Sequence, residues 1–151
     1  MRRWVRSATE ADLVFLQQLY QEYYPLQPMA ERFFTEKINK EEIFIALEDQ
    51  TPRGYLLLEK RSVLFLPYLH EPFLMRGEEH EGFDTKLMMT VESYCKQLGF
   101  QKVITSCAEQ NQNARTRNKQ RGYQEGGVLS HLRSDGKNEI VMIKSLIEEE
   151  L

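Results

Sequence analysis

One predicted amphipathic helix constrains the fold of this sequence more than any other feature. From Asp84 to Leu98, apolar side chains recur at steps of three and four residues, as they do on one face of a helix. Gly99 follows as a typical helix stop, and Phe100 restarts an apolar strand pattern. The apolar face comprises Leu87, Met88, Val91, Tyr94, Cys95 and Leu98. The pattern therefore predicts a long helix that is followed at once by a strand.

Shorter patterns around this helix predict further strands and helices. Thr9 and Asp12 have the spacing of a capping box, so a helix is expected to begin there and to end at Pro25. Two more helices are predicted over Met29–Ile38 and Asn113–Gln120. The predicted strands are Arg2–Arg6, Ile43–Glu48, Gly54–Lys60, Tyr68–Met75, Lys102–Cys107, and the hairpin of Tyr123–Leu132 with Asn138–Ser145 around Asp135-Gly136.

Length and composition narrow the class of protein. The 151 residues fit a single domain with one core. No apolar run approaches the ~18 residues that span a bilayer, and Met1–Arg6 is no leader, so we expect a cytoplasmic protein that does not enter membranes. The net charge of -3 argues against nucleic-acid binding and suits a cationic partner. Cys95 and Cys107 lack metal-ligand spacing, so no metal is expected.

The segment HEGFDTKLMMTVESYCKQLGF, from His80 to Phe100, leads into the long helix through a glycine. It resembles the GNAT superfamily of N-acetyltransferases, in which a Gln/Arg-x-x-Gly-x-Gly/Ala loop opens a helix that ends in Leu-Gly-Phe. In that family, loop N–H groups and the positive end of the helix dipole face the pyrophosphate of the cofactor. The resemblance implies that acetyl-CoA binds here at Glu79, His80, Glu81, Gly82, Phe83, Asp84 and Thr85.

Two residues of this loop differ from the family pattern. Glu79 stands where the family has Arg or Gln, and Asp84 stands where it has Gly or Ala. Carboxylates at these positions would repel a pyrophosphate. Asp84 has a second interpretation, because aspartate is a good N-cap whose carboxylate accepts hydrogen bonds from the N–H groups that a phosphate would use. Both interpretations remain open at the level of the sequence.

A second segment, AEQNQNARTRNKQRGY, resembles the Asn-x-x-Ala stretch that opens a later helix in the same family. Asn111 and Ala114 occupy matching positions, which implies that they also contact the cofactor. A family tyrosine that commonly protonates the departing thiolate is replaced here by Asn118, whose amide can only hydrogen-bond the sulfur. Four cations of this helix could face the cofactor phosphates or form a solvated basic face: Arg115, Arg117, Lys119 and Arg121.

A third segment, YLHEPFLMRGEE, resembles the fourth strand of the family, in which an acidic residue precedes apolar positions. The resemblance implies that Phe73, Leu74 and Met75 contact the cofactor. It also implies that main-chain N–H groups around Leu74 and Met75 stabilise the oxyanion of the reaction. Pro72 is consistent with this strand, because the family strand bulges and separates from its neighbour.

Acyl transfer to an amine needs a base that takes the amine proton, directly or through water. We expect this base at Glu71, with His70 as the second candidate and Glu59 as the third. A carboxylate that enters an apolar cleft can be adapted to this task. The alternative interpretations are a surface carboxylate for Glu71 and a structural histidine for His70.

Over nearly the whole chain, the order of elements resembles the GNAT fold. It implies an α/β fold with a mixed, mostly antiparallel central sheet of six to seven strands and about four helices. Aromatic residues of the first two helices could wall a substrate cleft or belong to the core: Tyr20, Tyr23, Tyr24, Phe33 and Phe34.

The implied function is transfer of the acetyl group of acetyl-CoA to a primary amine of a small cationic substrate. Attack would be direct, with help from a general base. One alternative is a GNAT-fold binding or regulatory module that has lost catalysis, and another is an acetyltransferase of protein N-termini or lysines. Exposed sheet edges would allow a homodimer.

Overall fold

The computed structural model describes residues 1–27, 29–79 and 81–147. This part of the chain forms two compact units. The first unit comprises Met1–Leu58 and Pro72–Val91. The second comprises Glu59–Glu71 and the described residues from Glu92 onward. The single domain expected from the sequence stays a prediction.

The described residues contain eight strands and four α-helices, which confirms the predicted α/β class. The strands are β1 (Arg3–Ser7), β2 (Ile43–Glu48), β3 (Thr51–Glu59), β4 (Tyr68–Leu69), β5 (Phe73–Leu74), β6 (Lys102–Ala108), β7 (Gln124–Leu129) and β8 (Glu139–Ser145). The α-helices are α1 (Leu13–Tyr23), α2 (Glu31–Asn39), α3 (Phe83–Gln97) and α4 (Gln112–Gln120), and short 3-10 helices cover Glu10–Asp12 and Val63–Phe65. Within the described ranges, none of the helices is long and apolar enough to cross a bilayer.

In the first unit, β1, β2, β3 and β5 pair in that order, and each pairing is antiparallel. β2 has the sequence IFIALE, and its residues are buried as far as Leu47. This continuous apolar run suits a strand that is covered on both faces. The strands share their core with α1 and α2. Its buried members include Leu16, Leu19, Tyr20, Phe34, Ile38, Ile43, Ile45, Tyr55 and Phe73.

The start of the first helical segment is fixed by a buried carboxylate. The Thr9 N–H donates to Asp12 Oδ2 at 2.7 Å, which is the reciprocal half of the predicted capping box. Arg6 donates to both Asp12 oxygens, at 2.7 and 3.0 Å. Asp12 therefore joins the end of β1 to the beginning of the helical segment.

In the second unit, the pairing order is β4, β6, β8 and β7. β4 runs parallel to β6, and the other two pairings are antiparallel. The second half of α3 carries the buried Glu92, whose carboxylate accepts a 2.7 Å hydrogen bond from the Tyr123 hydroxyl and another of 2.7 Å from Lys144 Nζ. A buried carboxylate requires such partners, so these two contacts fix the helix against this group of strands.

The prediction of one strand over Tyr68–Met75 is wrong. The structure has two short strands there, β4 paired with β6 and β5 paired with β3. Pro72 lies between them, lacks an N–H group and cannot continue a ladder of hydrogen bonds. Six or seven strands were expected. Because of this division, the described residues contain eight.

Candidate active site

β5 lies very close to β3 because β3 has a glycine at the crossing point. A Cβ atom on Gly54 would lie 2.6 Å from the Phe73 carbonyl oxygen and 2.8 Å from Leu74 Cδ2. The Met75 N–H donates to the Arg53 carbonyl at 2.9 Å and extends the contact past the end of β5. The predicted cofactor strand Phe73–Met75 is therefore held firmly along one of its edges.

The other edge of β5 is occupied by a tyrosine hydroxyl. Backbone groups alternate in direction along a strand, so the N–H and C=O of Leu74 point away from β3. The Tyr23 hydroxyl accepts the Leu74 N–H at 2.9 Å and donates to the Leu74 carbonyl at 2.9 Å. Neither predicted oxyanion donor is thus available as the structure stands, since Leu74 N–H bonds Tyr23 and Met75 N–H bonds Arg53.

Phe73 is the centre of an aromatic cluster. Its ring stacks on Tyr55 with centroids 4.7 Å apart, and Tyr23 meets its edge at 4.9 Å. Tyr55 is fully buried, and its hydroxyl has no hydrogen-bond partner among the residues that the structure describes. Burial, together with the phenol groups of Tyr20, Tyr23 and Tyr24, raises the pKa of Tyr55 far above its usual value.

The predicted aromatic wall divides between core and surface. Tyr20 and Phe34 are core residues, with ring centroids 5.9 Å apart. Tyr23 and Tyr24 remain 45% and 42% exposed, so these two can contact a ligand. The core interpretation therefore holds for Tyr20 and Phe34, and a place in a substrate cleft stays a prediction for Tyr23 and Tyr24.

A cavity of about 240 Å³ lies beside Tyr23 and Leu74. Glu22, Arg76 and Glu79 complete its lining. Two carboxylates and one guanidinium give this lining a net negative charge, and the phenol ring of Tyr23 adds an aromatic wall. Such a lining suits the ammonium group of a cationic molecule.

The turn before α3 has the backbone shape that close approach of a ligand requires. Gly82 has a φ of +81°, and a Cβ atom added there would meet no atom within 4 Å. α3 begins at the buried Phe83, so Asp84 lies in the first helical turn and is not the N-cap. Glu79, Glu81 and Thr85 are exposed, while the predicted residue His80 lies outside the described residues.

Two arginines of the first unit bind acidic residues of this loop. Arg3 of β1 donates from Nη1 to the Glu81 carbonyl at 2.7 Å and from Nη2 to Glu81 Oε2 at 2.9 Å. Arg53 of β3 lies with Nη1 3.4 Å from Glu78 Oε1. Part of the negative charge that the sequence places here is therefore compensated.

The predicted base Glu71 belongs to the second unit. Its Oε1 accepts a hydrogen bond of 2.8 Å from Arg117 Nη2, and Arg121 Nη1 lies 3.8 Å away. Its Oε2 is buried and has no hydrogen-bond partner within the part of the chain that the structure describes. The other two candidates pair with each other, since His70 Nε2 lies 3.5 Å from Glu59 Oε2.

The Asn-x-x-Ala residues have a structural role at the start of α4. Asn111 is the N-cap, and its side-chain oxygen accepts the Ala114 N–H at 3.0 Å. Asn118 is fully buried and donates from Nδ2 to the Met142 sulfur at 3.7 Å. Its amide therefore does bond a sulfur, but that sulfur belongs to the protein. Contacts of these three residues with a cofactor stay predictions.

The cations of α4 pair with carboxylates of their own unit. Arg115 and Lys119 lie 2.8 and 3.1 Å from Glu125 Oε1. Arg117 and Arg121 lie near Glu71. Ion pairs of this kind favour neither of the two predicted roles, a phosphate site or an unpaired solvated face.

A family model named Acetyltransferase (GNAT) family matches residues 13–123, about three quarters of the sequence. The chain belongs to the acetyltransferase (GNAT) family. The match covers the predicted cofactor loop, the predicted base Glu71 and the whole of α4. No curated protein matches the sequence of this GNAT protein significantly.

Solved structures share the fold of this GNAT protein at low sequence identity. A GNAT acetyltransferase from Bacillus cereus has a TM-score of 0.83 and 16% identity, with 98% of this chain and 100% of that chain covered. The structure of yncA from Salmonella typhimurium, solved with its cofactor acetyl-CoA, has a TM-score of 0.80 at 13% identity, with 99% of this chain and 96% of that chain covered. The ribosomal-protein-S18-alanine N-acetyltransferase from Escherichia coli scores 0.77 at 13% identity, with coverage of 99% and 97%. At these identities, the likeness establishes the fold alone.

Three contacts in this GNAT protein lie beyond the reach of sequence reasoning. The Tyr23–Leu74 hydrogen bonds join residues 51 positions apart, and the Arg3–Glu81 pair joins residues 78 apart. The third contact is the ion pair that Arg117 makes with Glu71. No spacing rule marks such partners, although the excess of carboxylates before α3 signals that cations must come from elsewhere in the fold.

Proposed function

We propose that the protein transfers the acetyl group of acetyl-CoA to a primary amine of a small cationic substrate. The observation that carries this proposal is the left-handed turn at Gly82, which leads directly into α3 in a chain of the GNAT family. The first N–H groups of a helix have no partner within the helix, and they can therefore bind the oxygens of a pyrophosphate. With no Cβ atom, Gly82 allows the backbone to approach such a ligand closely.

β5 supports the same proposal. Its Leu74 presents one N–H and one C=O on the edge that faces away from β3, and an extended chain of amides could pair with both. Bound acetyl-CoA supplies an activated thioester. The Gly82 turn and the edge of β5 that faces away from β3 would bind the cofactor. The negatively charged cavity, which Glu22 and Glu79 help to line, would attract the substrate ammonium group.

Glu71 is proposed as the base that makes the amine nucleophilic. An ammonium ion has no lone pair, so its proton must leave before nitrogen can attack. The bonded Oε1 of Glu71 is held by Arg117, and the buried Oε2 would accept the proton, directly or through water. Attack then forms the C–N bond and the C–S bond breaks. The nitrogen loses one further proton as it becomes an amide, and this proton neutralises the departing thiolate.

Calorimetry with acetyl-CoA tests the cofactor, and release of free thiol with a panel of amines tests the reaction. We expect micromolar to millimolar cofactor affinity and turnover of small cationic amines. Glu71→Gln should lower kcat at neutral pH by at least about tenfold, because general-base catalysis commonly contributes more than that. Cofactor affinity should change little, since the carboxylate is not proposed to bind acetyl-CoA.

Glu59→Gln is the matched control, because it neutralises the third candidate base, which pairs with His70 at 3.5 Å. An unchanged rate for Glu71→Gln would remove Glu71 as base. The absence of acetyl-CoA binding up to millimolar concentration would instead favour a GNAT-fold module without catalysis. Turnover of peptides, with none of small amines, would favour an acetyltransferase of protein N-termini or lysines.

A further inference from the structure

The loop before α3 poses an electrostatic problem for any anionic ligand. Between Met75 and Leu87, the loop and the first turn of α3 together carry four carboxylates, those of Glu78, Glu79, Glu81 and Asp84. Arg76 and Lys86 provide cations within the same stretch, but Arg76 lines the cavity beside Leu74. A loop that binds pyrophosphate therefore needs compensating charge from another part of the fold.

Arg3 provides such charge at the position nearest to the glycine. Its guanidinium bonds two acceptors of the residue directly before Gly82, the Glu81 carbonyl at 2.7 Å and the Glu81 carboxylate at 2.9 Å. The fork of two parallel donors restrains the main chain and the side chain of Glu81 together. Arg3 thus restrains the backbone at the start of the Gly82 turn.

A second contact fixes the guanidinium itself. The Arg3 Cζ atom lies 5.1 Å from the centre of the Phe83 ring, within the range of a cation–π interaction. Phe83 is 1% exposed and is the first residue of α3. Arg3 therefore contacts the residues on both sides of Gly82, while it is anchored in β1 through the pairing of Arg3 with Glu48.

We propose that Arg3 is a positioning residue for the cofactor loop, an inference that rests on the proposed function. It holds the Glu81 carboxylate on the β1 side of the loop, cancels its charge and fixes the turn at Gly82. The loop then accepts the pyrophosphate of acetyl-CoA in spite of its acidic sequence. The ligand group recognised through this arrangement is the phosphate part of the cofactor, not its pantetheine arm.

Arg3→Gln tests the proposal, with Arg2→Gln as the matched control. Both changes remove one positive charge at the start of β1, but Arg2 lies over the Trp4 ring, with its Cζ atom 4.8 Å from the ring centre. Calorimetry would measure Kd for acetyl-CoA and for S-acetyl-pantetheine, which lacks the phosphates. Loss of the cation that offsets the Glu81 carboxylate predicts about fivefold weaker acetyl-CoA binding by Arg3→Gln, the fold-change that corresponds to the upper range for a partly exposed ion pair. Arg2→Gln should stay within about twofold of the wild type, since the contact that the structure describes for its guanidinium is with Trp4 and not with the loop.

The Glu81→Gln change completes a double-mutant cycle. Glu81→Gln alone should bind acetyl-CoA at least as tightly as the wild type, because it removes the charge that Arg3 neutralises. The variant with both changes should regain the wild-type affinity to within about twofold, which is the usual additivity error. Affinity for S-acetyl-pantetheine should be equal in all of these proteins. A thermal melt of each variant confirms that it is folded.

Three results would overturn the inference while leaving the proposed function intact. In the first, Arg3→Gln binds acetyl-CoA as tightly as the wild type does. In the second, Arg3→Gln loses the same factor in affinity for acetyl-CoA and for S-acetyl-pantetheine. In the third, adding Glu81→Gln to Arg3→Gln does not restore the affinity for acetyl-CoA. A wild-type protein that binds neither ligand would reject the proposed function, and the inference would fall with it. A positive result would assign to β1 a role in cofactor binding that its sequence does not reveal.

Discussion

Replacement of Tyr23 by phenylalanine should have opposite effects on stability and on cofactor affinity. The Tyr23 hydroxyl makes two hydrogen bonds of 2.9 Å to the Leu74 backbone, and each contributes about 0.5–1.5 kcal/mol net. The variant should therefore lose about 1–3 kcal/mol in free energy of unfolding. For a chain of this length, that loss lowers Tm by roughly 3–9 °C.

Cofactor affinity should rise, because the same Leu74 groups are proposed to pair with bound acetyl-CoA. The wild-type protein must first break the contacts of Leu74 with the Tyr23 hydroxyl, whereas the phenylalanine variant has no such contacts to break. A difference of about 1–2 kcal/mol corresponds to roughly fivefold to thirtyfold tighter binding. Calorimetry and thermal melts on the same samples measure both quantities.

Tyr24→Phe is the matched control for this prediction. Tyr24 is the next residue, is 42% exposed and also packs against Phe73, with ring centroids 6.1 Å apart. Its hydroxyl forms no hydrogen bond that is found among the described residues, so both stability and affinity should stay near the wild-type values. If Tyr23→Phe is less stable yet binds acetyl-CoA no more tightly, Leu74 does not pair with the cofactor and the reasoning is refuted.

Two further predictions concern the frame of the first unit. Burial would raise the pKa of Asp12, but hydrogen bonds from Arg6 and Thr9 outweigh it and hold the pKa below its ordinary value of 3.8. Asp12→Asn should therefore cost about 1.5–3 kcal/mol at pH 7 in urea unfolding. The deficit should shrink as the pH falls below about 4 and through the lowered pKa, and a deficit that persists unchanged at pH 2 would contradict the assignment. Gly54→Ala should cost about 1–3 kcal/mol and weaken acetyl-CoA binding, because the new methyl group would force β5 away from β3. Gly127→Ala, with no atom within 4 Å of the added Cβ, should be close to neutral, and equal effects of the two changes would show that crowding at Gly54 is not the cause.

The helices were predictable because their signals are local. The apolar stripe that begins at Leu87 identifies α3, and the observed bounds Phe83–Gln97 differ from the prediction by one residue at each end. Gly82 could be placed before it for the same reason, since the glycine and the helix are adjacent in the sequence. Family motifs added the interpretation of this turn as a cofactor site, which spacing alone does not provide.

Contacts between distant residues could not be predicted in the same way. An apolar run from Tyr68 to Met75 does not show which strands it will join, so its division between β6 and β3 became visible only in the structure. Glu71 could be selected as a carboxylate in a suitable place, but its pairing with Arg117, 46 positions away, had no sequence signal. The acidic loop looked unfavourable for the same reason, because its partner Arg3 is remote in sequence.

The absorbance of two buried tyrosines can report when the protein unfolds. Burial raises the pKa of Tyr55 in the first unit and of Tyr123 in the second far above the ordinary value of 10.0. At a pH above that ordinary value, their phenol groups should therefore absorb as tyrosinate only after the surrounding unit has opened. Stopped-flow absorbance would follow tyrosinate formation after a jump to high pH. Comparison of the wild type with Tyr55→Phe and with Tyr123→Phe would give the opening rate of each unit separately. Coincident phases would support one cooperative domain, and separate phases would show that the units open independently.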